Sequence, residues 1–216
     1  VFKLPVMVEN DVNAAALGEH WLGAAKQFRD FICLTLGTGI GGAIFRNGTI
    51  DHGWGGISGE FGHMSIAYDG LPCNCGNKGC FEQYGSVSAL INNLLRRIHD
   101  GAPSFIPDMV QGDLSRVNGE LIFAAKEKGD RLAAEVIDEY IAYLATGIVN
   151  LVHILNPGAV VMGGGITNVG EALMQPLRQA VKAGAMPKFT ENLAIIRSEL
   201  GDYAGLYGAV KNLLTS

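Results

Sequence analysis

The chain has 216 residues, 48% of them apolar and 17% charged, with a net charge of −5. That length suits one large domain or a domain with an appendage, and the composition excludes a disordered chain. The acidic balance gives no electrostatic footprint for nucleic acid or an anionic membrane surface, and no apolar run reaches the ~18–20 residues that span a bilayer.

Residues 4–8 are a short apolar run that ends in Glu9-Asn10-Asp11 and reads as a strand entering a helix. Ala14, Leu17, Trp21 and Leu22 then recur at three- and four-residue spacing, which predicts that helix. Residues 31–36 are continuously apolar, meet Gly37-Thr38-Gly39, and resume strand character over residues 40–45, so a hairpin is expected. Residues 47–62 and 72–79 are glycine-rich and irregular. Residues 86–99 are helical in period, and residues 103–112 break the pattern.

Asp130 is a plausible N-cap for a long amphipathic helix on Leu132, Val136, Tyr140, Leu144, Leu151 and Leu155, which Asn156-Pro157-Gly158 terminates. A buried strand over residues 159–162 closes on Gly163-Gly164-Gly165. A helix over about residues 169–183, a strand over 193–196 and a closing helix after Ala204-Gly205 complete the chain. Strands alternating with helices indicate an α/β fold.

Three of the four cysteines fall in Cys73-x-Cys75-x4-Cys80, with His63 ten residues upstream. Three thiolates and an imidazole complete a tetrahedral shell, which is the usual donor set of structural zinc and leaves no open position for chemistry. A disulfide would leave one thiol over, and Cys73 and Cys75 are too close to bridge easily. Cysteines so clustered suit a reducing compartment, so a cytoplasmic location is expected. Cys33 lies in an apolar strand and is expected in the core.

Gly37-Thr38-Gly39-Ile40-Gly41-Gly42 places a hydroxyl among four glycines at a strand turn, where backbone N–H groups can face an anion. A plain turn fits the same residues. Gly163-Gly164-Gly165 ends a strand before a helix, a common place for a nucleotide and equally a common tight turn. Asp11 is either a helix N-cap or a general base at the carboxyl end of a strand, and Asn10 beside it offers a donor and an acceptor. Glu60 and Glu82 flank the cysteine loop, which would hold them in place.

In this order the motifs resemble the ROK family of sugar kinases and repressors. The resemblance rests on Glu9-Asn10-Asp11-Val12-Asn13-Ala14, the glycine hairpin, Gly59-Glu60-Phe61-Gly62-His63 and Cys73-Asn74-Cys75-Gly76-Asn77-Lys78-Gly79-Cys80-Phe81-Glu82. Val161-Met162-Gly163-Gly164-Gly165 and the closing Ala204-Gly205-Leu206-Tyr207-Gly208-Ala209 add to it. The resemblance implies an actin-like ATPase (ribonuclease H-like) fold, with residues 1–30 as an interlobe strand–helix segment and 31–216 as the C-terminal lobe, zinc loop 63–82 included. It further implies hexose phosphorylation by MgATP, with Asp11 as the base and Asn10, Glu60, His63 and Glu82 on the sugar. Gly37, Thr38, Gly39, Gly164 and Gly165 would bind ATP, and His63, Cys73, Cys75 and Cys80 would bind Zn2+. A homodimer is expected, with no membrane and no nucleic acid bound by this region. The family's D-x-G-G-T motif is absent from the sequence, so a preceding lobe is expected in the parent protein. The sugar-sensing part of a repressor, or a zinc-stabilised binding domain without catalysis, fits the same residues.

Overall fold

The computed structural model describes residues 6–215. Part of the apolar run over residues 4–8 lies outside them. Residues 6–10 have no regular secondary structure, and Val6 and Val8 are exposed, so the expected entering strand is not found over those residues. Regular structure begins with helix α1 (Asp11–Trp21).

The hairpin follows as expected, β1 (Phe31–Leu36) and β2 (Ile40–Arg46), joined by a short β3 (Thr49–Ile50) inside the stretch expected to be irregular. One turn of helix, α2 (Glu82–Gly85), leads into α3 (Val87–His99), whose N-cap Ser86 accepts the Ala89 N–H. The break over residues 103–112 holds a single turn, α4 (Ile106–Met109). Helix α5 (Gly119–Glu127), capped by Asn118, occupies a segment to which the sequence pattern gave no element. Helix α6 (Arg131–Leu155) is the longest of the described elements. Strand β4 (Ala159–Gly163), helices α7 (Glu171–Gly184) and α8 (Pro187–Thr190), strand β5 (Ala194–Arg197) and helix α9 (Ala204–Leu214) complete the order.

The ends of α6 follow from single residues. Asp130 accepts the Ala133 N–H at 2.8 Å and, being buried, also takes the Ser104 hydroxyl at 2.7 Å and the Phe105 N–H at 2.9 Å. Asn156 adopts the left-handed conformation at φ 46°, and Pro157 cannot continue the helix.

The five strands form one mixed sheet in the order β3-β2-β1-β4-β5. β1 pairs antiparallel with β2 and parallel with β4, and β4 pairs parallel with β5. β1 is apolar but for Thr35 because both its faces are covered. Ile32, Leu34 and Leu36 join the large core that contains α3, α5, α6 and α7 residues, whereas Phe31 and Cys33 join a smaller cluster with Val12 and Ala16 of α1. Cys33 is thus a core residue, as expected. Helix α9 lies backbone to backbone on α1. A side chain at Gly18 would collide with the Ala204 carbonyl, and one at Gly208 with the Ala14 carbonyl. No helix among the described residues is long and apolar enough to cross a membrane.

Candidate functional site

The parallel register brings the carboxyl ends of β1 and β4 together, with Thr35 opposite Gly163. Open α/β sheets bind ligands at that edge. In the β1–β2 turn the Gly37 N–H donates to the Gly39 carbonyl at 3.0 Å, and the Gly37 carbonyl accepts the Val87 N–H at 2.9 Å, which ties the turn to the start of α3. Gly37 and Thr38 are exposed. Gly164 follows β4 at φ 95° and passes so close to the Leu36 carbonyl that no side chain fits there. Gly164 and Gly165 are exposed beside the hairpin turn.

Asp11 is the first residue of α1. Its carboxylate is exposed and accepts the Val12 N–H at 2.9 Å. The N-cap is Asn10, whose Oδ1 accepts the N–H groups of Val12 at 2.8 Å and Asn13 at 3.1 Å. Asp11 is therefore released from the capping role, and the acceptor half of the Asn10 amide is used within the helix. α1 reaches the hairpin through Val12, which leaves no room for a side chain at Gly41.

Glu82 reaches the hairpin from the other side. Its Oε2 lies 3.4 Å from the Ile40 N–H and occupies the space a side chain at Gly39 would need. Gly59 packs against the Gly42 carbonyl, and this holds the neighbouring Glu60 beside β2. Glu60 is exposed, with its Oε2 4.0 Å from His63 Nε2.

His63 turns its other nitrogen to the cysteines. Nδ1 lies 3.6 Å from Cys73 Sγ, Cys75 Sγ lies 3.6 Å from Cys80 Sγ, and all four ligand atoms fall within 4.8 Å of one another. A zinc tetrahedron with Zn–S of ~2.3 Å and Zn–N of ~2.0 Å has edges of about 3.5–3.8 Å, which the two 3.6 Å pairs match, so the donor set suits such an ion. Burial, and then the neighbouring Cys75 and Cys73 sulfurs, push the Cys80 thiol up to about 12. The Asn77 backbone N–H, with the Cys73 and Cys80 side chains, holds Cys75 below the usual thiol range. A divalent cation among three sulfurs would favour the thiolate at each, which is why such sites couple metal uptake to proton release.

The family model for the ROK family matches residues 1–215. The chain belongs to the ROK family. It is similar to the glucokinase of Halalkalibacterium halodurans, 37% identical over 210 residues, which are 95% of this chain and 62% of that protein. It is likewise 31% identical over 214 residues to the xylose repressor of Caldicellulosiruptor bescii, covering 99% of this chain and 53% of the repressor. Among solved structures, the ROK family glucokinase of Streptomyces griseus in complex with glucose and AMPPNP superposes with a TM-score of 0.87 at 34% identity, over 98% of this chain and 69% of that one. The chain thus spans less than two thirds of the length of the Halalkalibacterium relative. The mixed sheet with its flanking helices fits the actin-like ATPase fold.

Two acids of this ROK chain were given no role by sequence reasoning. Glu19 of α1 is buried, yet it accepts the hydroxyl of Ser198 and the N–H groups of Ala24, Glu199 and Leu200, at 2.5–3.2 Å. It fastens α1 to the loop that precedes α9. Only its place on the apolar face of α1 could have marked it. Glu9 accepts from the Asn10 N–H, Asn13 Nδ2 and His52 Nε2 at 2.9–3.0 Å. Burial acts to raise its carboxyl, but the hydrogen bonds from Asn13, His52 and Asn10 prevail and hold it below the usual carboxylate range. Its place one residue before the cap, with Asn13 a helical turn on, was the available signal.

Proposed function

We propose that this protein is an ATP-dependent sugar kinase that phosphorylates a hexose at the primary hydroxyl of carbon 6, with Asp11 as general base. The observation that carries this reading is the convergence of an exposed carboxylate at the start of α1 and a glycine hairpin turn on one edge of the sheet. A sugar hydroxyl is a weak nucleophile at neutral pH, so a carboxylate must accept its proton as the bond to phosphorus forms. The rest of phosphoryl transfer is positioning and neutralisation of charge. Backbone N–H groups of Thr38 and Gly39, in the turn that Gly37 closes, would orient the ATP phosphates together with the Thr38 hydroxyl, and Gly164 and Gly165 would leave room for the nucleoside. Mg2+ bound with ATP would supply the countercharge.

The Asn10 amide N–H2, Glu60, Glu82 and the His63 face turned to Glu60 would contact the sugar. Zn2+ held by His63, Cys73, Cys75 and Cys80 would brace the loop that carries Glu60 and Glu82. The proposal includes a preceding lobe that completes the cleft, so turnover belongs to the full-length protein and is weak or absent in residues 1–216 alone. The glucokinase relatives support the kinase reading, and a homodimer and a cytoplasmic location are proposed along with it.

The test is a coupled ADP-release assay of the full-length protein with MgATP over a panel of hexoses. Turnover with one sugar is the expected result, and Asp11→Asn should lower the rate about 10²–10⁴-fold with sugar affinity retained. Near-normal turnover in that variant overturns the assignment of the base. The similarity to a xylose repressor over nearly the whole chain favours a second reading, a sugar-sensing domain. Silence across the panel, with calorimetric sugar binding, would establish that reading instead.

A further inference from the structure

We infer that Trp54 is a specificity-determining contact of the hexose site, an aromatic face against which the apolar C–H side of the bound sugar stacks. The inference rests on the sugar-kinase reading and goes beyond it in naming what holds the ring from its apolar side.

Trp54 is fully exposed and Ile57 is 76% exposed, an uncommon outlay of apolar surface on one short loop. The loop is built, not frayed. The Ser58 N–H donates to the His52 carbonyl at 3.2 Å, the Ser58 hydroxyl donates to the Asp51 carbonyl, and the Gly53 N–H donates to Asp51 Oδ1 at 2.9 Å. Gly53, Gly56 and Gly59 have positive φ, a backbone conformation that favours glycine, and Trp54 and Ile57 between them are exposed.

Both feet of this loop stand on residues of the site. At the first foot, His52 Nε2 lies 2.9 Å from Glu9 Oε2, and the same carboxylate receives the Asn10 N–H. His52 therefore fastens the loop to the segment that presents Asn10 and Asp11. At the second foot, Gly59 is packed on Gly42 of β2 and leads directly into Glu60. The loop that carries Trp54 is thus fastened at one end to the segment of Asn10 and Asp11 and leads at the other into Glu60, two groups proposed to hold the sugar hydroxyls.

A pyranose ring needs both kinds of contact. Carboxylates and amides such as Glu60, Glu82 and Asn10 take its hydroxyls, but its C–H faces are apolar and gain most from a flat aromatic partner. Ligand sites combine a few placed polar groups with aromatic walls for this reason, and a Trp ring can cover ~150–250 Å2. Ile57 on the same loop would extend the apolar wall toward a substituent of the sugar.

The chain contains 2 tryptophans, so Trp21→Phe leaves Trp54 as the only one in this sequence. Trp21 packs under Lys211 and has no part in the site. In the full-length protein carrying that change, and with any tryptophan of the preceding lobe likewise replaced by Phe, the fluorescence of Trp54 is titrated with each hexose without ATP, in parallel with calorimetry. The expected result is water-exposed emission in the free protein and a blue shift that saturates at the calorimetric Kd. Trp54→Ala should then raise KM for the sugar about 2- to 12-fold with kcat little changed, and Trp54→Phe should restore most of it. Calorimetric binding with unmoved emission overturns the inference and leaves the kinase reading intact. Emission already blue-shifted in the free protein means that Trp54 is packed within the protein, which also overturns it. Absence of both binding and turnover for every hexose overturns the kinase reading and this inference with it.

Discussion

The core around α6 and the loop that carries the cysteine cluster are held by different forces. In α6, Val136, Ile137, Leu144 and Ile148 are fully buried, and β4 behind them is buried along its whole length. Burial of apolar surface is non-directional, so that region tolerates changes of condition that spare its packing. Between Met64 and Phe81, residues 74–78 are exposed throughout. That loop is shaped by a few backbone bonds, such as Ile66 N–H to Gly79 O at 2.8 Å and Cys73 N–H to Asn77 O at 2.9 Å, and by four converging ligand atoms. Phe81 joins the two regions. It follows Cys80 in sequence, is fully buried, and lies so close to Gly147 of α6 that no side chain fits there. The core thus owes its stability to apolar burial, whereas the loop has one aromatic anchor and, on the proposed reading, would take its shape from the bound zinc.

Removing the proposed zinc should separate the two most sharply. Chelation of the full-length protein at neutral pH should lower kcat/KM for the sugar about 10²-fold, the cost of misplacing contacts by ~1 Å, while far-UV circular dichroism keeps its helical signal. A global loss of that signal would show that the loop supports the core as well. Phe81→Ala tests the anchor. A buried Phe truncated to Ala typically costs about 3–5 kcal/mol, so denaturant unfolding should report a loss of that size and weaker retention of the metal. A change under about 1 kcal/mol, the scale of a surface substitution, would mean that coordination alone fixes the loop.

The smallest effect belongs to the α1 side of the sheet. His20 lies tilted against Phe45 at a centroid distance of 4.3 Å; burial, and secondarily the Lys211 charge, depress its imidazole below the usual range. Its folded value is lower than its unfolded one, so the stability it contributes is present above about pH 6.5 and is lost as pH falls through the folded value. Thermal melts from pH 7.5 to 5 should show this slope, and His20→Gln should flatten it.

Much of the fold could be read locally. The continuous apolar run of β1, the Asp130 cap and the Asn156-Pro157 stop each predicted an element that formed. Helix α5 escaped because it is short, and its start rests on Asn118 and Gly119, residues that also suit a turn. The entering strand over residues 4–8 was read from apolar character alone, which cannot tell a paired strand from an exposed segment. The four candidate metal ligands, which the structure brings within 4.8 Å of one another, were legible because three of them share one short loop.

Sequence by itself thus determined the helix and strand periods, the caps and the ligand spacing, all of which depend on residues a few positions apart. Only the tertiary structure decided that Asn10 and not Asp11 caps α1, that Glu19 is buried under four donors, and that Glu82 meets Ile40 across 42 positions of chain. Those facts depend on which elements the sheet brings side by side. Strand pairing and the close contact of α1 with α9 are long-range, and no local pattern encodes the neighbours a side chain will meet there.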